Sequence, residues 1–550
     1  MIIPTTMFLR QMIIAVLVGL LAHNAVFIRG EWHLRIPQIA ITHVFLWFYA
    51  SFLVYSADGD AASIGLAVSK ASFLTTLYLA GLFGSMIVYR LFFHRLAGFK
   101  GPRLAAVSKF WHVYKVRNST NHVLMTGLYK KYGSIIRTGP NEITILQPGA
   151  IQLLDGWNNT TVKDVWYDIL VPRMSAVFTR SEQHHKDGLK AWTRALSNKS
   201  MKVYNVRVAH HINALCKRLK AHGNEQVSVN AVVSQLTFDV IGDVLFSQKH
   251  NLVETDGWHP FLEHRGSALP ILGPINDTTW LGHLMFCVAP FWKRVRDWFY
   301  MVNFSVEQMQ QRFEHDDKGL GADMASYFID EYHELKGKYS LEKRDLHLQG
   351  TAITAVIAGS DTTRSAIIVA FWCLAKYPEH VEKIRKEIQD VDTNDPNSLG
   401  QLPHLEGFIA ETLRVLPPAM SGGARRTGPQ GLMVDKTFIP PDVKVTAPKY
   451  VIMRLDTAFV RPDEFIPERW YSHPDLIIDK RAFGPFTFGS RACAGKPLAY
   501  AELRLVVAGL VRSFDIAFAP GYDPMTMWRD LKDQVTAQPG EVRCVFSPRE

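Results

Sequence analysis

The chain has 550 residues, 47% hydrophobic and 20% charged, so it has enough apolar side chains for a large buried core. Its formal net charge of +10 suits nucleic acid, an anionic membrane surface or an acidic protein partner. Nucleic acid is the weakest of these three because no zinc-finger or RNA-binding signature accompanies the charge. The five cysteines include no CxxC pair, which disfavours a disulfide framework or a structural zinc site and fits a reducing compartment.

Three apolar runs in the first hundred residues each approach the ~20 residues that a membrane-spanning helix needs. They cover residues 12–28, 38–56 and 71–89, although the first is short and contains His23 and Asn24. We predict three transmembrane helices. Two alternatives are that the first run is a cleaved signal peptide and that only the third run spans.

The charges that flank these runs predict an orientation. Asp58 and Asp60 lie between the second and third runs, whereas basic residues follow the third. By the positive-inside rule, three spans place the amino terminus in the lumen and everything after Arg90 in the cytosol. We therefore predict a membrane region at residues 1–96 and a cytosolic body at residues 97–550.

The body is predicted to be one large, mostly α-helical domain with a small β region. Strands are predicted at residues 133–146, and long helical patterns dominate afterwards. The apolar segment 350–378 resembles a fourth span, but Asp361 and Arg364 lie near its middle, and a charge at the bilayer centre costs roughly 3 kcal/mol. We predict instead a helix that crosses the protein core and has a polar break at its centre.

Cys493 lies in a context that favours a metal ligand over an inert core thiol, the usual state of a free cysteine. Gly489 and Gly495 permit close approach of the backbone, and Pro497 before an apolar run predicts a helix start that favours a thiolate. No second cysteine or histidine is near in sequence. A metal that brings its other ligands, such as haem iron, therefore fits better than zinc.

Residues 486–495 form the pattern Phe-x-x-Gly-x-Arg-x-Cys-x-Gly, which resembles the haem-ligand signature of the cytochrome P450 family. The resemblance implies that Cys493 is the axial ligand of the iron in haem b and that Arg491 contacts a haem propionate. Phe486, Gly489 and Gly495 complete the implied haem-binding loop.

Glu411 and Arg414 are three residues apart, a spacing that alone predicts a surface ion pair worth about a few tenths of a kcal/mol. Together with the segment FIPERW at residues 465–470, they resemble the family's Glu-x-x-Arg helix and its later Pro-Glu-Arg segment. The resemblance implies that Arg469 joins Glu411 and Arg414 in a buried structural network. Losing one partner would leave a buried charge, at a cost of roughly 3–5 kcal/mol.

The segment AGSDTT at residues 358–363 would ordinarily be polar helix surface. Its glycine and hydroxyl groups also weaken a helix locally and admit water or a side chain. It is similar to the family's Ala/Gly-Gly-x-Asp/Glu-Thr pattern on the distal haem face. The resemblance implies that Thr362 hydrogen-bonds dioxygen or its water and that Asp361 relays protons.

Other positions match the family less closely. Arg425, preferred over Arg426, corresponds to the basic residue that meets the second propionate, and His185 stands where the family has Trp or His. The arginine expected on the same helix falls near Leu189, which leaves Lys190 as a substitute. Candidate substrate-lining positions are Trp166, Tyr167, Ile353, Ala358 and residues 419–423.

The resemblance extends from residue 97 to the carboxyl end and is strongest to fungal members of secondary metabolism. It implies a monooxygenase in the endoplasmic reticulum membrane, in contact with lipid, that inserts one oxygen atom of O2 into an apolar small molecule by hydroxylation or epoxidation. Terpenoids, alkaloids and polyketides are the implied substrate classes. Electrons would come from NADPH through a separate cytochrome reductase, with cytochrome b5 as a further candidate partner, because no Gly-rich dinucleotide loop indicates a fused reductase.

Two alternatives remain open. One is a haem-thiolate isomerase, dehydratase or peroxide-driven enzyme that needs no reductase, and the other is a non-enzymatic membrane haem sensor.

Overall fold

The computed structural model describes residues 3–57, 63–315, 321 and 323–549, and it divides into two units. The first comprises Met1–Val113, Ile136–Glu142 and Asp277–Pro290, and the second comprises Tyr114–Ile135, Ile143–Asn276 and Phe291–Glu550. Asp58 and Asp60, which contributed to the predicted orientation, lie outside the described residues. The predicted boundary between residues 96 and 97 stays a prediction.

Helices dominate the chain, and the strands are few and short, which confirms the predicted fold class. The helices are α1 (Ile3–Leu21), α2 (Ile36–Ala57), α3 (Ile64–Val88), α4 (Arg103–Val107), α5 (Phe110–Lys115), α6 (Asn121–Tyr132), α7 (Ala150–Asp155), α8 (Glu182–Ala195), α9 (Asn198–His222), α10 (Val229–Phe246), α11 (Leu252–Thr255), α12 (Pro260–Ala268), α13 (Leu272–Ile275), α14 (Thr279–Val288), α15 (Lys293–Glu314), α16 (Met324–Glu334), α17 (Leu341–Lys376), α18 (Pro378–Glu387), α19 (Pro396–Leu399), α20 (Pro403–Val415), α21 (Lys449–Ile452), α22 (Lys496–Ser513) and α23 (Thr526–Arg529).

The strands are β1 (Ile135–Gly139), β2 (Glu142–Ile145), β3 (Val162–Lys163), β4 (Val227–Ser228), β5 (Arg425–Arg426), β6 (Leu432–Val434), β7 (Thr437–Ile439), β8 (Lys444–Thr446), β9 (Phe514–Phe518), β10 (Lys532–Gln534), β11 (Thr536–Gln538) and β12 (Arg543–Pro548). In the second unit, β2, β8, β5 and β3 are neighbours in that order, and Arg425 pairs with Val445 on one side and Lys163 on the other. β12 pairs with both β4 and β9, and β6–β7 and β10–β11 form two hairpins.

The first unit is built on the apolar helices α1, α2 and α3. α1 and α3 continue into π-helical turns at Ala22–Phe27 and Tyr89–Phe93. Each helix is long and apolar enough to cross a membrane, and at most 17% of its apolar stretch is buried within the protein. The predicted runs at residues 12–28, 38–56 and 71–89 lie on these helices, which begin earlier because backbone hydrogen bonding continues past polar side chains.

The core of the second unit is organised around α17, which is 36 residues long. α10 packs beside it and is also apolar enough to span a membrane, but 89% of α10 is buried inside the protein. An added side chain at Gly359 of α17 would lie 2.5 Å from Cδ1 of Ile241 on α10, so glycine permits this close packing. Most side chains of α17 after Gly350 are buried, so the segment predicted at residues 350–378 forms a core helix as far as Lys376.

The predicted polar break in this helix is wrong. α17 is α-helical without interruption from Leu341 to Lys376. The hydroxyl of Ser360 donates to the carbonyl of Val356 at 2.6 Å, and that of Thr362 donates to the carbonyl of Ala358 at 2.7 Å. These side chains bond back to their own helix and leave its hydrogen-bond ladder intact.

Candidate active site

A cavity of about 350 Å³ in the second unit brings several of the predicted motifs together. The middle of α17 contributes Thr362, the loop before α22 contributes Phe486, Arg491 and Cys493, and β5 contributes Arg425. Most of the remaining wall is apolar, with side chains such as Leu189, Trp192, Ile241, Ala366 and Leu413. The cavity therefore combines a thiol and cationic groups with an apolar interior.

The loop before α22 presents the sulfur of Cys493 to this cavity. The Cys493 amide donates to the carbonyl of Phe486 at 2.9 Å, and α22 begins at Lys496, close to the predicted helix start. Burial raises the pKa of the Cys493 thiol, although the backbone N–H groups of Gly495 and Lys496 and the ammonium of Lys449 oppose this effect. A coordinated metal ion would replace the proton and leave these donors to stabilise the thiolate.

Only one of the two loop glycines is required by backbone conformation. Gly489 has a φ of +68°, and an added Cβ would lie 2.4 Å from the carbonyl oxygen of Asp155. Gly495 has an ordinary φ of −74°, and a Cβ there would lie 3.7 Å from the sulfur of Cys493. Gly489 shapes the loop, whereas Gly495 keeps side-chain atoms away from the thiol.

The structure brings Glu411, Arg414 and Arg469 into one fully buried network. Arg414 donates to both carboxylate oxygens of Glu411, at 2.9 and 2.8 Å, and Arg469 donates to one of them at 3.1 Å. The carboxylate also accepts from the indole of Trp470 at 2.9 Å and from the amide of Ile466 at 3.0 Å. All three ionic side chains are 0% exposed, so the geometry is that of a buried network and not of a surface ion pair.

Several buried basic groups converge on the cavity. Arg425 donates to Asp155 at 2.6 Å and to the Tyr167 hydroxyl at 3.2 Å. Arg491 pairs with Glu182 at 2.5 Å, yet its buried Nη1 has no hydrogen-bond partner. His185 is held through its Nδ1, 2.7 Å from the carbonyl of Ala176. Each of the three basic side chains also lines the cavity.

Two lysines in the cavity wall, Lys163 and Lys449, were not predicted from the sequence. Burial, with a smaller contribution from Arg491 and Arg425, lowers the pKa of Lys163 to about 6. Burial likewise lowers the pKa of Lys449 to about 8. Neither lysine belongs to a recognised motif. They lie on β3 and α21, which are far apart in the chain and meet at the cavity only in the folded protein.

The substitute proposed for the missing arginine is wrong. Lys190 is exposed and does not line the cavity, whereas its neighbour Leu189 does. Successive helical residues point about 100° apart, so a lysine directly after an inward leucine turns to solvent. Lys163 lines the cavity instead.

Asp361 and Thr362 are adjacent on α17 but face different surroundings. Thr362 lines the cavity. Asp361 is buried away from it, where its carboxylate pairs with Arg265 and accepts from the Thr536 hydroxyl and from Gln538 at 2.9 Å. Burial opposes its ionisation, but the nearby arginines outweigh burial and hold the Asp361 pKa below its usual value. A proton-transfer role for Asp361 stays a prediction.

Some of the predicted substrate-lining residues face the cavity and others do not. Tyr167, Ala358 and Ala419 line it. Trp166 and Ile353 do not: the indole of Trp166 donates to Asn276 at 2.8 Å, and Ile353 is packed in the core.

These residues fit haem as a cofactor. A thiol open to a large apolar cavity suits an axial iron ligand. The partnerless Nη1 of Arg491 suits a propionate oxygen, because a buried cationic group requires an anionic partner, and Arg425 lines the same cavity. A propionate beside Lys163 would raise the pKa of that lysine and favour its ammonium form. The assignment of each residue to one propionate stays a prediction.

Comparison with known proteins points the same way. The family model described as Cytochrome P450 matches residues 101–543. The chain is 30% identical to Tryprostatin B 6-hydroxylase of Aspergillus fumigatus, over 96% of this chain and 95% of that protein. It is 31% identical to Cytochrome P450 monooxygenase lcsK of Purpureocillium lilacinum, over 92% and 94% of the two chains.

A solved structure shares the fold. The cytochrome P450DA heme domain superposes with a TM-score of 0.65 at 18% identity and covers 80% of this chain and 95% of that one. At this identity the likeness concerns the fold alone.

The Arg469→Met substitution should destabilise the protein by roughly 3–5 kcal/mol, because it leaves the buried Glu411 carboxylate with one guanidinium fewer. The urea midpoint of the detergent-solubilised protein would measure the loss. Arg529→Met, which removes an exposed ion pair with Asp523, should leave the midpoint close to the parent value. An unchanged midpoint in Arg469→Met would mean that Arg469 does not stabilise the network.

Proposed function

Because the chain belongs to the cytochrome P450 family, we propose that it binds haem through Cys493 and oxygenates an apolar small molecule in secondary metabolism. Members of this family are haem-thiolate monooxygenases with haem b as prosthetic group, and a partner reductase supplies electrons from NADPH. The observation that carries the proposal is that Cys493 and Thr362, from different elements, line the same largely apolar cavity.

Haem, when bound, supplies the activation of dioxygen and the transfer of one oxygen atom. The protein supplies the environment for this chemistry. Cys493 would hold the iron through its thiolate, while Arg491, Arg425 and His185, with Lys163 beside them, would bind the propionates. The apolar wall excludes water and binds the substrate by removing its apolar surface from solvent.

Thr362 has the position and the chemistry to hold a proton donor in the cavity. Its hydroxyl proton is engaged by the carbonyl of Ala358 at 2.7 Å, which leaves the oxygen lone pairs available to accept from a water molecule. That water would then deliver a proton within the apolar cavity. For Asp361 to replenish the proton, its ion pair with Arg265 must open, since the pairing favours the ionised carboxylate.

The proposed reaction is hydroxylation or epoxidation in the tailoring of a terpenoid, alkaloid or polyketide. One relative is named a hydroxylase of tryprostatin B, which favours hydroxylation. The test incubates full-length protein, a cytochrome reductase and NADPH with a panel of terpenoids, alkaloids and polyketides. At least one of these compounds should be converted to a product 16 mass units heavier, which is the mass of one oxygen atom. Under ¹⁸O2 the product should gain 18 units, and Cys493→Ser should give no product. Turnover without NADPH or reductase, or oxygen derived from water, would contradict the proposal.

Thr362→Val should reduce product formation by roughly 10²-fold or more, because valine keeps the side-chain shape but removes the acceptor for water. Product formed per NADPH consumed measures the effect and separates it from lost electron transfer. Ser360→Ala is the matched control, since Ser360 makes the same type of helix bond but does not line the cavity. Equal losses in both variants would assign the effect to the helix and not to the Thr362 hydroxyl.

We further propose that α1, α2 and α3 anchor the protein in the lipid of the endoplasmic reticulum membrane, with the body and its reductase in the cytosol. Cytochrome b5 is a second proposed electron donor there. The apolar, largely exposed surfaces of these helices support anchoring.

The glycosylation triplets that begin at Asn118 and Asn198 provide a topology test, because both asparagines are exposed. In eukaryotic cells both should stay without sugar if the body is cytosolic. An Asn-Ser-Thr tag added at the amino terminus should be glycosylated, because three spans place that end in the lumen. A gel-mobility shift after glycosidase treatment measures both, and sugar on Asn118 or Asn198 would overturn the orientation.

A further inference from the structure

Away from the cavity, two histidines and a glutamate converge where α18, α20 and the 3-10 turn Pro467–Trp470 meet. One ring nitrogen of His380, one of His404 and one carboxylate oxygen of Glu468 lie within 4.8 Å of one another. Nδ1 of His380 is 3.7 Å from Oε1 of Glu468, and Nδ1 of His404 is 3.9 Å from the same oxygen. This cluster is separate from the residues that line the cavity. Glu468 belongs to the Pro-Glu-Arg segment, whereas the two histidines belong to none of the motifs described above.

Both histidines have a buried ring nitrogen without a hydrogen-bond partner. His380 and His404 are 6% and 2% exposed, and Nδ1 of His380 and Nε2 of His404 make no hydrogen bond. A buried polar atom without a partner is unfavourable and calls for an explanation. A bound metal ion would give a partner to Nδ1 of His380, which is the nitrogen nearest the Glu468 carboxylate, and to Nε2 of His404, whose Nδ1 is already taken by the Tyr471 hydroxyl.

The surrounding residues hold the two rings in place. The His380 ring packs edge-on against the Phe465 ring, with 5.7 Å between ring centroids, and Nδ1 of His404 is 2.9 Å from the Tyr471 hydroxyl. Glu387 accepts from the backbone amides of His404 at 2.9 Å and of Leu405 at 3.0 Å, which caps the start of α20. Metal-binding histidines are commonly oriented by such outer hydrogen bonds.

The charges around the cluster also suit a cation. Lys383 donates to Oε1 of Glu468 at 2.5 Å, but the lysine is half exposed and is free to turn into solvent. Glu468 is 17% exposed, so the carboxylate is reached from outside.

We propose that His380, His404 and Glu468 form a zinc site, with a water molecule as the fourth ligand in place of the Lys383 ammonium. Two imidazoles and one carboxylate are an established zinc ligand set. Tetrahedral ligands at about 2.0–2.1 Å from zinc are roughly 3.3–3.4 Å apart. The 3.7 Å between Nδ1 of His380 and Oε1 of Glu468 therefore needs a shift of only a few tenths of an ångström. The three ligand atoms, now within 4.8 Å of one another, must draw together by at most about 1.5 Å.

The location gives the site a structural role. Glu468 directly precedes Arg469, which donates to Glu411 in the buried network. Zinc would tie the start of α18 and the start of α20 to this turn, which stabilises the segment that supports the haem-binding loop. Because zinc binds the folded chain and not the unfolded one, it should raise the melting temperature.

The test uses full-length, haem-loaded protein in detergent with Cys287→Ser, which removes an exposed thiol that would also bind zinc. The protein is stripped with a chelator, titrated with ZnCl2, desalted and measured for metal content and melting temperature. One tightly held zinc per chain and a rise in melting temperature are expected. His380→Phe keeps a ring in place, and Glu468→Gln keeps an acceptor for Lys383. Each should lower zinc affinity at least tenfold.

His210→Gln is the matched control, because this histidine is exposed on α9 and far from the cluster in sequence. It should bind zinc like the parent. Absence of zinc from the parent, or equal zinc content and equal stabilisation in His380→Phe, would overturn the proposal and leave adventitious binding only. Neither result depends on monooxygenase activity.

Discussion

The buried carboxylate of Glu411 holds together the part of the chain that leads to Cys493. Two guanidinium groups, one indole and one backbone amide satisfy its two oxygens. The guanidiniums in turn bind backbone carbonyls of the segment 453–476: Arg414 donates to Met453 and Pro462, and Arg469 donates to Val460 and Leu476. An irregular segment without a strand or long helix of its own thus has its carbonyls paired by two side chains.

The network matters for the site because this segment precedes the loop that presents Cys493. The loop itself is held by short-range bonds, such as that from the Cys493 amide to Phe486, and by the positive φ of Gly489. Neither feature places the loop relative to α20. The ion network does so for the segment, since Arg414 belongs to α20 and Arg469 to the turn Pro467–Trp470 within the segment. The same turn carries Glu468, so the proposed zinc site and the network would stabilise one junction.

The charged groups in the cavity wall are paired less completely than those of the Glu411 network. Around Glu411 two guanidinium groups share one carboxylate and also donate to backbone carbonyls, whereas in the cavity wall Nη1 of Arg491 has no partner among the described residues. Arg425 has Asp155 and Arg491 has Glu182, whereas Lys163 donates to the backbone carbonyls of Ala176 and Val177. Burial, with a smaller contribution from Arg491 and Arg425, lowers the pKa of Lys163 to about 6. The propionates of haem would supply the missing negative charge, which links cofactor binding to stability of the fold.

Much of the site could be predicted from the sequence, because the relevant residues lie in short patterns. The spacing around Cys493, the Glu411–Arg414 pair and the polar residues of α17 each combine a chemical need with a local geometry. The predominantly helical fold and the apolar amino-terminal helices follow from periodicity and hydropathy in the same way.

The tertiary structure decided the contacts between residues that are far apart in the chain. The directions of Asp361 and Thr362 depend on Arg265 and Thr536, and a helical pattern does not reveal which neighbour captures a carboxylate. Lys163 reaches the cavity and Lys190 does not, because chain packing selects the inward face. His380, His404 and Glu468 are isolated in sequence and meet only when three elements pack together. Local pattern determined the motif around Cys493 and the fold class, because both depend on short spacings. Long-range packing decided the residues that line the cavity, the partners of Asp361 and the meeting of the second cluster.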